Sequence, residues 1–293
     1  MSPADHLDID PKSPPFDRLR GIRVLATSRS GRDSSAHARH QLYTGRDKAT
    51  SAQVLVKVTS RPGVFYERNL LTEIENLRTI NEALPDSKVF PVALDHGRLR
   101  DGRLYLTTYL FDELPLASTI GPDRVPSKTS QHVRTAIAVA RALDELHRIP
   151  LFHVDLNPMN ILFRTEHGAP VIRIVDFESS FSPARHADGA FYDPPTTPGY
   201  SAPEVSQQPP DARADVYSLG AVLYTLLAGF GWTWESDVHT CVKADHALDA
   251  DLRALLLKAV ALKPSARHAS MATFRNALLA YADAHWPGQG GSW

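Results

Sequence analysis

The sequence predicts an α+β fold in which a small antiparallel sheet with one helix precedes a larger, mostly helical part. Strand-like apolar runs recur before residue 110 and enclose one helical stretch, whereas helical spacing prevails from residue 131 onward. The chain has 293 residues and 43% hydrophobic content, which suffices for one large or two small domains. We therefore expect a flexible tail at 1–15, a sheet-containing domain at 16–110, a helical domain at 111–285 and a second flexible tail at 286–293.

Composition and charge narrow the classes of partner. The chain carries 32 basic and 33 acidic residues, a balance that gives no signal for binding nucleic acid or acidic membranes. No run approaches the roughly 20 apolar residues of a membrane span, and the first fifteen residues lack the apolar stretch of a signal peptide. The single cysteine, Cys241, excludes an intrachain disulfide and fits a reducing compartment. We expect a soluble cytoplasmic protein; the oligomeric state is left open.

Three strands are predicted before the first helix. Residues 22–27 and 36–43 read as strands around a polar turn, and residues 53–58 read as a third strand. This third strand holds one charged residue, Lys57, inside an apolar run. Lys57 is either a functional cation or a lysine whose stem lies on apolar surface while its ammonium reaches solvent.

An amphipathic helix follows the third strand. Its apolar positions recur at helical spacing at Leu70, Ile74, Leu77 and Leu84. Glu73 lies on this helix and can point toward the preceding sheet, although Glu67 and Glu75 are alternatives on the same segment. Residues 104–110 form a further apolar strand.

The helical part encloses a polar loop. Helices are predicted around residues 133–143, 216–227, 252–262 and 271–281. Residues 153–160, which read His-Val-Asp-Leu-Asn-Pro-Met-Asn, lie between the first two helices and are followed by Asp176. The loop offers a proton acceptor at Asp155 and an amide oxygen at Asn160, and Asp176 adds a carboxylate. These groups can align a hydroxyl and hold magnesium on a nucleoside triphosphate.

These motifs together resemble the eukaryotic-like serine/threonine protein kinases, from about residue 16 to residue 281. Any one motif alone is a weak signal, but their order along the chain argues against an accidental match. The matching elements are Lys57, Glu73, the loop 153–160, Asp176-Phe177, the segment 197–204 (Thr-Pro-Gly-Tyr-Ser-Ala-Pro-Glu), the helix start 215–220 and Arg267.

The resemblance implies a bilobal kinase fold, ATP and Mg²⁺ as cofactors and a protein as substrate. Lys57 would place a cation on the α and β phosphates, and Glu73 would hold that ammonium through an ion pair. Asp155 would orient the attacking hydroxyl and accept its proton. Asn160 and Asp176 would bind magnesium through hard oxygen ligands.

The resemblance also assigns residues to the nucleotide. Thr108 would guard the adenine pocket, Tyr109 and Leu110 would offer main-chain hydrogen bonds to the base, and Leu162 would contact the nucleotide. The family's phosphate-covering loop, usually Gly-x-Gly-x-x-Gly, corresponds here to residues 28–35, which contain one glycine.

Small residues in that loop, among them Ser30 and Gly31, let main-chain amides approach a phosphate closely. A polar hairpin turn without a ligand is the alternative.

Further matched residues are expected to be structural. Glu204 and Arg267 would form a buried ion pair, and Asp215 would receive main-chain amides of the loop 153–160. His153 is expected to pack in the core and support this loop, although a histidine can also serve as a ligand or base.

Three positions depart from the family pattern. Val154 replaces an arginine that would pair with a phosphorylated activation segment, so residues 179–196 are expected to be ordered without that pair. Asn157, assigned to the catalytic set, replaces a lysine that contacts the transferred phosphate, which should raise the barrier. Glu178 replaces a glycine, so the segment should be less mobile, and its carboxylate would either repel phosphate or help bind metal.

Thr197 matches a threonine that serine/threonine kinases carry near the catalytic carboxylate, which favours a serine or threonine hydroxyl as acceptor. Autophosphorylation is a hypothesis that rests on reach, and the candidates are Ser179, Ser180, Ser182, Thr196 and Thr197.

Three functions from different classes follow. The first is an active serine/threonine protein kinase that does not depend on phosphorylation of its activation segment. The second is a weak or inactive pseudokinase that acts as a binding module, motivated by the poor glycine loop, Asn157 and Glu178. The third is a small-molecule phosphotransferase, against which the Ala-Pro-Glu segment argues.

Overall fold

The computed structural model describes residues 8–25, 39–186, 194, 196–230 and 237–287. The chain divides into two compact units, Met1–Asp112 and Glu113–Trp293. Among the described residues, no helix combines the length and the apolar character that crossing a membrane requires.

The first unit contains a five-stranded antiparallel sheet and one long helix. The strands are β1 (Leu19–Val24), β2 (His40–Asp47), β3 (Gln53–Thr59), β4 (Ala93–Arg98) and β5 (Leu104–Tyr109), in the order β1-β2-β3-β5-β4. The helix α1 (Val64–Ala83) follows β3 and packs against β3, β4 and β5. Its buried side chains follow the predicted helical spacing at Leu70, Ile74 and Leu77, and the helix ends before Leu84, whose amide donates to the Ile80 carbonyl.

The first two strands lie in part outside the segments predicted for them. β1 begins at Leu19, earlier than the predicted residue 22. Its start was not predicted because charged residues and Gly21 interrupt its apolar pattern, and the ladder is irregular between Arg20 and Arg23. β2 extends four residues past Tyr43 to Asp47, through Gly45. A Cβ on Gly45 would lie 3.3 Å from the Cβ of Leu19, so a glycine suits the close approach of β1 and β2. Predicted strand residues 26, 27 and 36–38 lie outside the described residues.

Strand β4 was not anticipated from the sequence, because its residues Ala-Leu-Asp-His-Gly-Arg carry few apolar side chains. Its side chains alternate between half-buried and exposed, and the strand pairs with β5 along one edge only. Such an edge strand gains much of its order from the ladder, which a residue-by-residue apolar count does not register.

One face of the sheet is covered by the segment before β1. Phe16 is fully buried there, and its ring meets Tyr43 edge-on with 5.3 Å between ring centroids. Residues 8–15, which the sequence assigns to a tail, contact the same unit: Asp8 pairs with Arg103 and Asp10 with Arg100. The buried cluster on this face comprises Phe16, Leu19, Tyr43, Val54, Val56, Val58, Leu99 and Tyr105.

The second unit is mostly helical. Its helices are α2 (Thr129–Arg148), α3 (Ala212–Ala228), α4 (Val238–Ala244), α5 (Ala250–Ala259) and α6 (Met271–His285). A small antiparallel sheet joins β6 (Leu114–Pro115), β7 (Ile161–Glu166) and β8 (Ala169–Ile174). The four helices predicted for this part are confirmed, and α4 is an addition.

Helix α3 forms the centre of the second unit. It packs against α2, α5 and α6, and from Ala214 to Leu227 its residues are buried. A Cβ on Gly220 would lie 2.9 Å from the Cβ of Ala259, so the glycine allows α3 and α5 to approach closely. The caps are local: Asp211 accepts from the Arg213 amide before α3, and Asp249 accepts from the Leu252 amide before α5.

Candidate active site

In the first unit, Lys57 and Glu73 form a close ion pair. Lys57 Nζ lies 2.7 Å from Glu73 Oε2, and the two side chains are 15% and 7% exposed. The other acidic candidates on α1 lie elsewhere, because Glu67 pairs with Arg98 and Glu75 is exposed. A shielded lysine that a carboxylate holds in place presents a fixed cation, which is what binding a phosphate requires.

The end of β5 carries the residues assigned to the adenine. In the β3–β5 ladder Lys57 pairs with Leu106, so Leu106 and Thr108 share the sheet face of Lys57. Tyr109 is 43% exposed.

The Leu110 amide donates to the Gln53 carbonyl at 3.0 Å. This N–H group is thus occupied within the sheet, in contrast to its expected availability for a base. The assigned residues Ser30 and Gly31, with the whole segment 28–35, lie outside the described residues.

In the second unit, Asp155 lies in the loop between α2 and β7 and is 9% exposed. The Thr197 hydroxyl donates to Asp155 Oδ1 at 2.6 Å, and the Ser201 hydroxyl lies 3.4 Å from the same oxygen. Burial raises the pKa of Asp155 to about 6, against the hydrogen bond from Thr197 and the nearby His153, while Asp176 adds to the increase. The carboxylate is therefore mostly ionised at neutral pH and able to accept a proton.

Asn157 links the loop internally. Its Nδ2 donates to the Asp155 carbonyl at 3.1 Å and to Thr197 Oγ1 at 3.2 Å, and its Oδ1 accepts from the Met159 amide at 2.9 Å. Every polar atom of the side chain is thus used, and the position where the family has a lysine is filled by a neutral group that fixes the loop.

Asp215 holds the start of the loop. Its carboxylate accepts from the His153 amide at 2.8 Å and from the Val154 amide at 2.7 Å, and His147 Nε2 lies 2.8 Å away. The predicted capture of main-chain amides by Asp215 is confirmed. Burial disfavours its carboxylate, yet the hydrogen bond and charge of His147 and the other donors hold the pKa of Asp215 below its ordinary value.

Val154 adopts a left-handed backbone with φ of 70°. This conformation is strained for a β-branched residue and persists only where the surroundings impose it. The amides of His153 and Val154, both bound to Asp215, provide that constraint.

Asn160 and Asp176 are brought close by one hydrogen bond. The Val175 amide donates to the Asn160 carbonyl at 3.0 Å, which places Asp176 one residue beyond that contact. Asn160 Nδ2 is engaged with the Asp155 carbonyl at 3.0 Å, so the amide oxygen is the atom that remains for a ligand. An amide oxygen and a carboxylate are the hard donors that Mg²⁺ prefers, and these residues fit that ion.

Phe177 anchors the segment after Asp176. It is fully buried, and its ring lies 5.1 Å from that of His153, which is also fully buried. His153 Nε2 lies 3.1 Å from the Val175 carbonyl. The expected packing of His153 in the core is confirmed. Leu162, assigned to the nucleotide, lies on β7 and is half-buried.

Arg267 and Glu204 form the predicted buried pair. The guanidinium contacts the carboxylate through two parallel hydrogen bonds of 2.6 and 2.7 Å, and the Arg267 side chain is fully buried. This prediction is confirmed. The pair ties the segment 197–204 to the residues that precede α6.

Ser201 contacts Asp155 and His147 contacts Asp215, and neither contact was predicted from the sequence. Ser201 occupies the variable position of Tyr-x-Ala-Pro-Glu, and its polar side chain two residues before a proline was the only signal. His147 lies in the last turn of α2, where it reads as a residue that favours the end of a helix.

With this geometry in place, comparison with known proteins gives the family. A model described as "Protein kinase domain" matches residues 40–275. The chain belongs to the protein kinase domain family.

Named relatives and solved structures agree with this assignment. Serine/threonine-protein kinase Pkn1 of Myxococcus xanthus is 30% identical over 256 residues, covering 81% of this chain and 36% of that protein. Ribosomal protein S6 kinase alpha-2 of Mus musculus is 46% identical over 185 residues, covering 62% of this chain and 24% of that protein. The chain thus spans about a third or less of the length of these relatives.

The kinase domain of Mycobacterium tuberculosis PknI gives a structural match. It is 23% identical, with a TM-score of 0.59, and the match covers 89% of this chain and 96% of that domain. The predicted kinase-like α+β fold is confirmed.

Proposed function

We propose that this chain transfers the γ-phosphate of ATP to a serine or threonine hydroxyl of a protein substrate. The observation that carries the proposal is the 2.6 Å hydrogen bond from the Thr197 hydroxyl to Asp155, beside Asn160 and Asp176. Pkn1, by its name a serine/threonine-protein kinase, supports the choice of acceptor. A cytoplasmic location, supported by the lone cysteine, belongs to the same proposal.

Each residue has a chemical role in this proposal. The Lys57 ammonium, oriented by Glu73, binds the phosphates of ATP. Asp155 orients the acceptor hydroxyl and takes its proton late in the transfer, when negative charge has moved to the leaving oxygen. Asn160 and Asp176 hold Mg²⁺, which neutralises charge on the phosphates.

We propose that activity does not require phosphorylation of the activation segment. The family arginine is absent at Val154, and the loop is instead held by Asp215 through two main-chain amides. A phosphate on residues 179–196 would find no guanidinium at position 154 to pair with.

Burial divides the candidate autophosphorylation sites. Ser179 and Ser180 are 1% and 0% exposed, which argues against their modification in the folded chain. The Thr197 hydroxyl donates a hydrogen bond to Asp155, which argues against Thr197 as an acceptor. Thr196 is exposed and Ser182 half-buried, so these two are the proposed acceptors in the described part of the segment.

A phosphate-transfer assay tests the proposal. Wild type, Asp155→Ala and Asp283→Ala are incubated with radiolabelled ATP, magnesium and a generic protein substrate. We expect transfer by the wild type and by Asp283→Ala, whose exposed carboxylate lies on α6, and loss of at least about a hundredfold in Asp155→Ala. Phosphoamino-acid analysis should find phosphoserine or phosphothreonine.

The second candidate is a pseudokinase that acts as a binding module. It is favoured by Glu178 in place of glycine and by the neutral Asn157 in place of lysine. Thermal shift with ATP and magnesium separates the two. Stabilisation by the nucleotide without phosphate transfer in any of the three proteins would favour the binding module and reject the kinase.

A further inference from the structure

Ser201 makes two contacts beside the proposed catalytic carboxylate. Residues 197–201 form a tight turn in which the Ser201 amide donates to the Thr197 carbonyl at 3.0 Å. Ser201 Oγ accepts from the Thr197 amide at 2.8 Å and lies 3.4 Å from Asp155 Oδ1. One side chain therefore contacts both Asp155 and the threonine that binds Asp155.

The hydroxyl protons can be assigned from their partners. A hydroxyl has one proton to donate and two lone pairs to accept. Ser201 Oγ accepts a hydrogen bond from the Thr197 amide, so the proton of its own hydroxyl is available to donate to Asp155. Thr197 Oγ1 accepts from Asn157 Nδ2 at 3.2 Å and donates its proton to Asp155. Asn157 thus donates to Thr197, and Thr197 donates to Asp155. Ser201 is a second hydroxyl donor to the same carboxylate.

Both hydroxyls converge on one oxygen of Asp155. Thr197 and Ser201 contact Oδ1, and among the residues that the structure describes no donor contacts Oδ2. A carboxylate anchored through one oxygen has a fixed plane and a defined free oxygen. His153 and Asp176 are the ionisable groups in this unit that act on the carboxylate, and neither donates a hydrogen bond to it.

We propose that Ser201 is a positioning residue for phosphoryl transfer: with Thr197 it anchors Oδ1 of Asp155, so that Oδ2 faces the acceptor hydroxyl. The inference rests on the proposed kinase function and deepens it. Neutral donors orient Asp155 here, since position 157 carries an amide instead of a cation.

Kinetics of three serine variants test the proposal. Ser201→Ala should lower kcat about five- to tenfold, which lies within the range expected for loss of one ordinary hydrogen bond, with KM for ATP unchanged. Ser201→Thr keeps the hydroxyl and should restore kcat to within about twofold. Ser118→Ala is the control, because its exposed hydroxyl donates to the nearby Pro115 carbonyl, and it should match the wild type.

Double substitution separates positioning from general damage. Because Ser201 and Thr197 act on the same oxygen, Ser201→Ala should lower kcat less in a Thr197→Ala background than in the wild type. Full additivity of the two effects would show that Ser201 acts independently of Thr197 and would reject the shared anchor.

Amide hydrogen exchange of Thr197 gives a readout that needs no activity. Loss of its acceptor in Ser201→Ala should speed exchange of the Thr197 amide at least about tenfold, with the midpoint of thermal unfolding near that of the wild type. Unchanged kcat and unchanged exchange in Ser201→Ala would overturn the inference. If the wild type transfers no phosphate, the proposed function fails and the positioning role with it, whereas an active wild type with an unaffected Ser201→Ala rejects Ser201 alone.

Discussion

At the scale of single residues, the environment of Asp155 sets its proton affinity. Burial is the largest effect and raises its pKa to about 6, well above the ordinary value of 3.8. A proton acceptor must be ionised before reaction, yet its conjugate acid should not be too strong. A carboxylate with a pKa near 6 meets both requirements at pH 7 to 8 better than an exposed one.

The first prediction concerns pH. The base form of Asp155 is lost as the pH falls through about 6, so kcat/KM should decline below that pH with a slope of one proton. Initial rates between pH 5 and 8.5, at fixed free magnesium and in a buffer series of constant ionic strength, measure this. A profile that is flat down to pH 5 would mean that Asp155 is not the titrating base.

The second prediction concerns Asn157→Lys. A cation beside Asp155 favours its charged form, so the acid limb of kcat/KM should move to lower pH, and kcat should rise up to about tenfold through added charge near the phosphate. The same change removes the acceptor of the Met159 amide, so the midpoint of thermal unfolding should fall. Asn157→Ala, which loses the hydrogen bonds without adding charge, is the matched control and should lower both kcat and stability. If kcat is equal in the lysine and alanine variants, charge at this position has no role.

Residue type and spacing predicted part of this site. Lys57 is recognisable because a charge is unusual within an apolar strand, and Asp155 and Asp176 are recognisable because they follow it in the order of the kinase motifs. The place of Ser201 depends on a turn that brings residues 46 positions apart within 3.4 Å, and the capture of the Leu110 amide by Gln53 depends on the strand register. Neither relation is written in local sequence, because both are set by the tertiary path of the chain.

At the scale of elements, α1 is held by a charged contact at its first turn. Glu67 accepts from the Gly63 amide at 3.0 Å and contacts Arg98 on β4 through two hydrogen bonds of 2.7 and 2.8 Å. A carboxylate at a helix N-terminus also interacts favourably with the helix dipole. The same side chain therefore caps α1 and joins it to the edge strand that the sequence did not reveal.

The third prediction follows from the pKa of Glu67. The Arg98 hydrogen bonds, followed by that of the Gly63 amide, lower it from 4.5 to about 2. A depressed carboxyl pKa stabilises the fold above the unfolded value, near pH 4.5, and this stabilisation is lost as the pH falls toward 2. Glu67→Gln should thus unfold at a lower temperature than the wild type at pH 7, with the difference shrinking below pH 4.

Glu75→Gln provides the comparison, since Glu75 is exposed on the same helix and its replacement should change the midpoint little. Arg98 is 54% exposed at its side chain, so solvent screens the pair and the effect of Glu67→Gln should diminish in high salt. A constant difference between Glu67→Gln and the wild type from pH 7 to pH 2 would contradict the linkage.

At the scale of the whole molecule, the order of the motifs predicted the fold class, but it did not predict where the strands begin and end. The core helices were predictable because their apolar positions repeat at 3.6 residues and bury a continuous face. The path of residues 8–16 across the sheet was not, because Asp and Pro residues gave no sign that Phe16 would be fully buried among sheet side chains.

Arg267 joins distant parts of the second unit. Its five N–H groups meet five acceptors: both oxygens of Glu204 and the carbonyls of Arg213, Ala261 and Leu262. Its guanidinium carbon lies 4.9 Å from the centre of the Tyr217 ring. A buried guanidinium whose N–H groups are all hydrogen-bonded holds these segments in one arrangement. Removing it leaves the buried Glu204 carboxylate without its partner.

The fourth prediction is that Arg267→Ala lowers the free energy of unfolding by about 3–5 kcal/mol, the range for breaking one partner of a buried pair. Arg267→Lys should recover part of this loss, because an ammonium keeps the charge but cannot form two parallel bonds with Glu204. Arg267→Met combined with Glu204→Leu should be less destabilising than Arg267→Ala, since no buried charge is left uncompensated. Urea unfolding at pH 7 measures all three, with Arg275→Ala as the control for a partly exposed pair with Asp144. If Arg267→Ala lowers the free energy of unfolding no more than Arg275→Ala does, the pair of Arg267 with Glu204 does not stabilise the fold as its contacts suggest.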